Sequence, residues 1–134
     1  MKIHGIGTDI IKIQRIKRSI KKKLFLSRIF NKDEIHKCYK TKNIASCFAK
    51  RFAAKEAFAK ALGTGIAKGI NFNEIIILNE KNGKPFIKLI NKTKKNVEKK
   101  LKKKKYKISL SLTDEDNYAV AFVRLSVWKI RLLK

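Results

Sequence analysis

Residues 48–62, FAKRFAAKEAFAKAL, constrain this chain more than any other stretch, because alanine at that density fits little besides a helix. Alanine loses no side-chain entropy in a helix and heads the propensity ranking. The pattern predicts one helix from Ser46 to about Leu62, closed by Gly63-Thr64-Gly65 with Gly63 as a left-handed stop. Ala49, Phe52, Ala53, Glu56, Ala57 and Lys60 share a face at i, i+3, i+4 spacing. Small side chains there admit a close neighbour, which would meet one acid and one base. Spacing alone equally supports a plain surface ion pair between Glu56 and Lys60, stabilising by a few tenths of a kcal/mol.

Around this helix the sequence of 134 residues reads as one domain, residues 1–134, with a modest core to which eight Phe contribute heavily. Ile3 to Asp9 is expected to form a short opening strand, its Gly5 and Gly7 on one side where a neighbour can approach. Asp9 then stands at the strand end, where it could cap a first helix. That helix would carry Ile10, Ile11, Ile13 and Ile16 inward, with Gln14, Arg15, Lys17 and Arg18 outward. Leu24–Phe30 is a second short apolar segment. Asn31-Lys32-Asp33-Glu34 has the form of a capping box and opens a helix carrying Ile35, Cys38 and Tyr39. Asn71–Asn79 and Pro85–Ile90 read as two strands joined by a turn at Asn82-Gly83, the strongest hairpin dipeptide. Asn91–Lys105 is expected to be a basic surface helix, and Tyr106–Thr113 and Tyr118–Val123 a second hairpin; Arg124–Lys134 receives no assignment. Strands and helices fall in segregated groups, hence an α+β fold of antiparallel hairpins packed with a long central helix.

The formal charge of +25, from 35 Lys+Arg against 10 Asp+Glu, points to an anionic partner or substrate without saying which. Runs such as Lys21–Lys23 and Lys102–Lys105, in a chain also rich in Ile and Asn, are equally what AT-rich codon usage would yield. The aromatic residues are mostly Phe at core-like spacing and are not interleaved with the Lys runs, which speaks against a nucleic-acid-binding module. Cys38 and Cys47 lack a CxxC spacing and a His cluster, which excludes a zinc-site reading and suggests reduced thiols in a cytoplasmic chain. No stretch has the length of a membrane span or the form of a signal peptide.

Three stretches, GIGTDIIKIQRI (Gly5–Ile16), RFAAKEAFAKALGTGI (Arg51–Ile66) and SLSLTDEDNYAVAFV (Ser109–Val123), with NGKP (Asn82–Pro85) in order between the last two, resemble the holo-acyl-carrier-protein synthases. The resemblance spans nearly the whole chain and implies the 4′-phosphopantetheinyl transferase fold. It implies transfer of 4′-phosphopantetheine from coenzyme A to a serine of acyl carrier protein, releasing adenosine 3′,5′-bisphosphate, in fatty acid biosynthesis. It places Asp9 and Glu56 at a Mg2+ ion, in keeping with the one or two carboxylates that magnesium usually takes. It makes Lys60 a catalytic residue facing the phosphates, where a cation stabilises developing negative charge. It assigns Arg51, Lys60, Gly63, Asn82, Gly83, Lys84 and Pro85 to coenzyme A. Glycines after a helix C-terminus are wrongly placed for a phosphate loop, so Gly63 could meet the cofactor only by close backbone approach. Glu34 and Asp114 are candidates for holding a water that accepts the serine proton. Asp114 stands where some family members carry histidine. Arg15 and Arg18, with Lys17, are expected to dock the acidic carrier protein, and the family further implies a homotrimer with its cleft between neighbouring subunits. The YAVAF strand is the expected interface element, and neither a sequence-specific nucleic acid nor a membrane is an expected partner.

Overall fold

A computed structural model of the chain describes residues 1–63 and 69–129. Thr64, Gly65 and Ile66 of the expected helix stop, and residues 130–134 of the unassigned tail, lie outside the described residues.

The long helix is α4, Ile44–Leu62, two residues longer at its start than expected and capped by the Asn43 side chain, which accepts from the Ser46 N–H. It ends on Gly63 in the left-handed conformation (φ 91°), whose N–H reaches back to the carbonyls of Ala59 and Lys60. Gly63 is therefore a helix stop, as its position predicts.

Around α4 the chain runs β1 (Lys2–Lys12), α1 (Ile13–Ser19), α2 (Lys23–Ile29) and α3 (Lys32–Tyr39) before it. After it come β2 (Ile75–Asn79), β3 (Pro85–Leu89), α5 (Asn91–Lys100), β4 (Lys105–Asp114) and β5 (Tyr118–Trp128). A single 3-10 turn, Phe72–Glu74, takes the first part of the segment expected to be strand. Strands β1, β5 and β4 form one antiparallel sheet in that order, and β2 and β3 form a separate hairpin. The architecture is thus the expected α+β one, with antiparallel sheets against a central helix.

β1 differs most from the sequence reading. It continues past Asp9 to Lys12, so Ile10 and Ile11 belong to the strand and Asp9 lies within it. Asp9 caps nothing, since the residue before α1 is Lys12 and no side chain caps that helix. The isoleucine spacing is compatible with either period, and the long antiparallel register with β5, from Lys2↔Val127 to Lys12↔Tyr118, decides for strand. β5 in turn runs five residues beyond Val123, because Val123, Leu125 and Val127 continue the inward alternation that Ala119 and Ala121 begin.

The core lies between this sheet and α4. Gly5 and Gly7 face the helix so closely that an added Cβ would stand 2.0 Å from the Ala61 carbonyl oxygen and 1.9 Å from that of Ala57. The expected close approach at the two glycines is therefore real, and its occupant is α4. The close neighbour expected at the small-residue face is therefore β1 at Ala57 and Ala61, both buried beneath it. α3 begins with the expected capping box: Asn31 accepts from the Asp33 N–H, and Glu34 accepts from the Asn31 N–H. It is joined to α4 by a Cys38–Cys47 disulfide, which corrects the expectation of two reduced thiols; helix packing brings the two Cα atoms to 5.4 Å.

Candidate functional site

Two of the residues singled out for metal binding meet although they are far apart in sequence. Asp9 projects from the helix-facing side of β1, and Glu56 and Lys60 lie one turn apart on the part of α4 that covers it. Lys60 Nζ donates to the Thr8 carbonyl at 2.9 Å and pairs with Asp9 Oδ1 at 3.4 Å. The expected surface pair between Glu56 and Lys60 is absent among the described ion pairs, because the lysine reaches across to the strand instead.

Burial raises the Asp9 carboxyl above its ordinary value, with Lys60 and then Arg15 opposing it. Burial also raises Glu56, and the neighbouring charge of Asp9 pushes it further in the same direction. Two half-buried carboxylates that disfavour each other's charge form a site that a cation would relieve. A pair of carboxylates beside open space suits magnesium, which keeps water or phosphate oxygens in its remaining positions. The open space is a groove of about 780 Å³ beside Glu56. Its wall is aromatic, with Phe52 stacked on Phe25 at 6.2 Å and edge-on to Phe72 at 6.3 Å, and Arg15 and Arg28 stand at its rim.

A second cleft opens on a different face of α4. Arg51 is only 5 % exposed. Its Nη2 donates to Asn79 Oδ1 at 3.2 Å and its Nη1 to Cys47 Sγ at 3.1 Å, while Nε has no partner among the described residues. Lys37 Nζ donates to the same Asn79 oxygen, and Asn79 Nδ2 donates to the Gly83 carbonyl at 2.9 Å. The cleft, about 460 Å³, thus gathers Lys37, Lys50 and Arg51 beside the β2–β3 turn. Of the residues assigned to coenzyme A, Arg51 and Gly83 line it. Asn82 and Lys84 belong to the same turn, where Asn82 Oδ1 accepts from the Lys84 N–H, and Pro85 opens β3 directly after it. Lys60 and Gly63 lie elsewhere, at the acid pair and the helix end.

The two candidates for holding a water do not join the acid pair. Asp114 accepts from Ser46 and pairs with Lys50 at 3.6 Å, in the second cleft. Ser46 precedes Glu56 by ten residues, about 15 Å along the helix axis. Glu34 is 1 % exposed and pairs with Lys55 at 2.8 Å, so it reaches no water of the site.

Lys55 is the residue that the sequence reading passed over. It is fully buried, and its Nζ donates to Glu34, to the Phe72 carbonyl and to the Ile75 carbonyl. Glu34 Oε2 accepts from the Ile77 N–H. Burial pushes the lysine down to about 8, against the pull of Glu34. The pair ties α3, the 3-10 turn and β2 to α4. The turn carries Phe72 of the aromatic wall, and β2 ends at Asn79 of the cleft. Asn79 and Lys37 were missed because no local motif marks them.

This arrangement has known counterparts. A family model for the 4′-phosphopantetheinyl transferase superfamily matches residues 5–123. The chain belongs to that superfamily. Among curated members of the superfamily, a holo-[acyl-carrier-protein] synthase of Pelagibacter ubique is 46% identical over 125 residues, covering 93% of this chain and 98% of the relative. The crystal structure of holo-[acyl-carrier-protein] synthase from Neisseria meningitidis superposes with a TM-score of 0.83 at 38% identity, over 92% of this chain and 98% of that one. The Helicobacter pylori synthase, solved in complex with coenzyme A, superposes with a TM-score of 0.76 at 32% identity, over 90% of this chain and 99% of that one.

Proposed function

We infer that this chain transfers 4′-phosphopantetheine from coenzyme A to a serine of acyl carrier protein and releases adenosine 3′,5′-bisphosphate. Within superfamily membership, the observation that carries the reading is the meeting of Asp9 with Glu56 and Lys60, where Glu56 lines an open groove. In the reaction a serine Oγ–phosphorus bond forms and a phosphorus–oxygen bond of the coenzyme A diphosphate breaks.

Asp9 and Glu56 would hold a Mg2+ ion, which when bound offsets the diphosphate charge and aligns it for displacement. Lys60, a hydrogen-bond donor to Thr8 and a partner of Asp9, serves as a fixed cation beside the phosphates and not as the proton acceptor. The serine proton passes to a water held at a carboxylate of the acid pair. The cations of the second cleft, with Arg51 held by Asn79, suit a further phosphate group of coenzyme A, since a guanidinium binds phosphate well.

Arg51 and Glu56 are five positions apart on α4, so they project about 140° apart around the helix axis. We therefore place the complete site between neighbouring copies, one giving the acid pair and the other the Arg51 cleft, in a homotrimer. The outward face of the three-stranded sheet supports this: Ile6, Ile10, Tyr118 and Phe122 are all large and exposed there. The YAVAF strand supplies the last two. Arg15, Lys17 and Arg18 lie exposed on α1, with Arg15 at the groove rim, which suits docking of an acidic carrier. No helix among the described residues is long and apolar enough to cross a membrane. A single cytoplasmic domain serving fatty acid biosynthesis is the reading we adopt.

The test is direct: incubate the chain with apo acyl carrier protein, coenzyme A and magnesium, and weigh the carrier. The carrier should gain the mass of phosphopantetheine, and Glu56→Gln should abolish the gain without lowering the melting temperature. An unchanged carrier with the unmodified chain would overturn the activity. Full activity in Glu56→Gln would remove that residue from the metal.

A further inference from the structure

The Lys102–Lys105 run plays no part in this chemistry, yet the fold gives it a definite place. Leu101 ends α5, and Lys102 and Lys103 both adopt positive φ, 54° and 58°, a conformation that glycine adopts freely and lysine only at a cost. The turn delivers Lys105 opposite Trp128 in the β4–β5 register. The result is a groove of about 860 Å³ in which Tyr106 and Trp128 lie among Lys95, Lys99, Lys103, Lys104 and Lys105, with Glu98 on the same wall. Trp128 at the end of β5 therefore meets lysines of α5 and of the following turn that are distant from it in sequence. Along β5 the groove lies seven residues from Ala121, the partner of Asp9, which separates it from the acid pair by about 23 Å.

Each chemical element of the groove matches a part of a nucleotide chain. Five amines from the α5 helix, the following turn and the start of β4 can follow successive phosphates. Trp128 offers a stacking surface that any base can use, beside Tyr106, whose ring packs against the core from the inner face of the sheet. Glu98 is the one carboxylate lining the groove and can accept from the exocyclic amine or ring N–H of a base. A flat bilayer would favour aromatics that protrude clear of the surface over a ring set among lysines in a groove. An acidic protein surface would leave the Trp128 ring without a stacking partner.

We propose that the groove between the end of α5 and the β4–β5 edge is a binding site for single-stranded nucleic acid, taken up without sequence preference through phosphate contacts and base stacking. It is a second function of the chain, separate from group transfer.

Trp128 is the chain's only tryptophan, so its emission reports on this groove alone. The full chain is titrated with a fluorescein-labelled oligodeoxyadenylate 12-mer, following tryptophan emission and label anisotropy between 50 and 300 mM salt. Binding should quench Trp128, and the log–log salt slope should approach about −3.5, at about 0.7 per phosphate neutralised. Lys103→Gly with Lys104→Gln removes two charges and relieves one positive-φ strain, so the variant should melt no lower than the parent. Its salt slope should be shallower by about 1.4, while Lys21→Gln with Lys22→Gln, outside the groove, leaves the slope unchanged. Trp128→Leu should weaken binding roughly fivefold or more through the lost stacking. Three further probes read out the rivals: inorganic polyphosphate of equal charge, vesicles of phosphatidylglycerol, and apo acyl carrier protein. Quenching of Trp128 by any of these as strong as that by the oligonucleotide would overturn the proposal. An unchanged salt slope in the Lys103–Lys104 variant, or full affinity in Trp128→Leu, would do the same.

Discussion

Gly7→Ala adds a single methyl group and tests how the strand–helix contact positions the acid pair. The new Cβ would stand 1.9 Å from the Ala57 carbonyl oxygen, 2.8 Å from the Ala61 nitrogen and 2.9 Å from the Ala57 carbonyl carbon. All three are backbone atoms inside a helix, so no side-chain rotation can relieve the contact. Ordinary van der Waals contact begins near 3.4 Å, and β1 and α4 must therefore part by roughly 1.5 Å. Gly7 has no positive φ, so alanine brings no backbone penalty and should slightly favour folding by restricting the unfolded chain.

Every loss in this variant is consequently steric. Overpacking of a core costs about 1–3 kcal/mol, and the upper end applies where the obstacle is rigid backbone. At roughly 3–5 °C per kcal/mol for a chain of this size, the melting temperature should fall by about 10–15 °C. Activity should fall further than stability, because Asp9 lies two residues along the same strand and moves away from Glu56 and Lys60 with it. A misplacement of about 1 Å at a reacting centre costs on the order of 10²-fold in rate. Thermal melting by circular dichroism and the carrier mass-shift assay, run below the new melting temperature, read the two effects separately. Ala57→Gly should not rescue the variant, since the clash is with a backbone oxygen. Gly83→Ala is the control: nothing stands within 4 Å of its added Cβ, and its φ of 91° carries the whole cost, about 1 kcal/mol. A Gly7→Ala chain that melts within 3 °C of the parent and keeps its activity would refute the argument.

Lys55→Met should destabilise the chain by about 3–5 kcal/mol in urea denaturation, because it leaves Glu34 buried without its counter-charge and removes one donor from each of the Phe72 and Ile75 carbonyls. A loss under 1 kcal/mol would mean that the buried Lys55–Glu34 pair contributes little to stability. Although burial raises the Glu74 carboxyl, hydrogen bonds from Asn71 and Thr93 outweigh it and hold the group below 4.5. Its contribution to stability is then fully present above pH 4.5 and lost as pH falls through the lower folded value, so the urea-midpoint gap between the parent and Glu74→Ala should narrow in acid. Arg15→Glu should raise KM for acyl carrier protein far more than KM for coenzyme A and flatten the salt dependence of the rate; equal effects on both would remove Arg15 from the docking face. Mixing the Arg51→Ala and Glu56→Gln chains under conditions that exchange subunits should restore about a quarter of parental activity if sites form between copies. A mixture no more active than its parts would place the whole site within one chain.

What the sequence made legible was local. The alanine helix and its glycine stop, the Asn31–Glu34 capping box and the Asn82-Gly83 turn each depend on residues within one turn of one another, and each forms where expected. What it hid was decided by partners distant in sequence. Asp9 was read as a strand end because the following isoleucines fit a helical period, and only pairing with β5 holds them extended. Lys55 was passed over because the Lys-Glu dipeptide looks like surface charge. A signal was nevertheless available: Lys55 lies seven residues after Phe48 and three before Phe58, inside the apolar stripe of α4. A lysine in that stripe has to bring its own counter-charge into the core, and Glu34 provides it. The second cleft had no signal of this kind, since Lys37, Arg51 and Asn79 come from three elements and meet only after folding.

The same helix explains why so small a protein can hold these features apart. α4 is enclosed on most sides, so each of its polar residues is committed to a different neighbour: Arg51 to β2, Lys55 to the 3-10 turn and α3, and Lys60 to β1. Residues four apart share a helix face only roughly, so Arg51 and Lys55 still reach different neighbours, whereas Glu56 and Lys60 both lie towards β1. Those two form the one pair that meets a single neighbouring strand, and that strand brings the second carboxylate. Ala57 and Ala61 stand where Gly7 and Gly5 of β1 approach the helix backbone, and a larger side chain there would push β1 outward and separate Asp9 from Glu56. The alanine content that made the helix recognisable is thus also what keeps the two carboxylates within reach of one another.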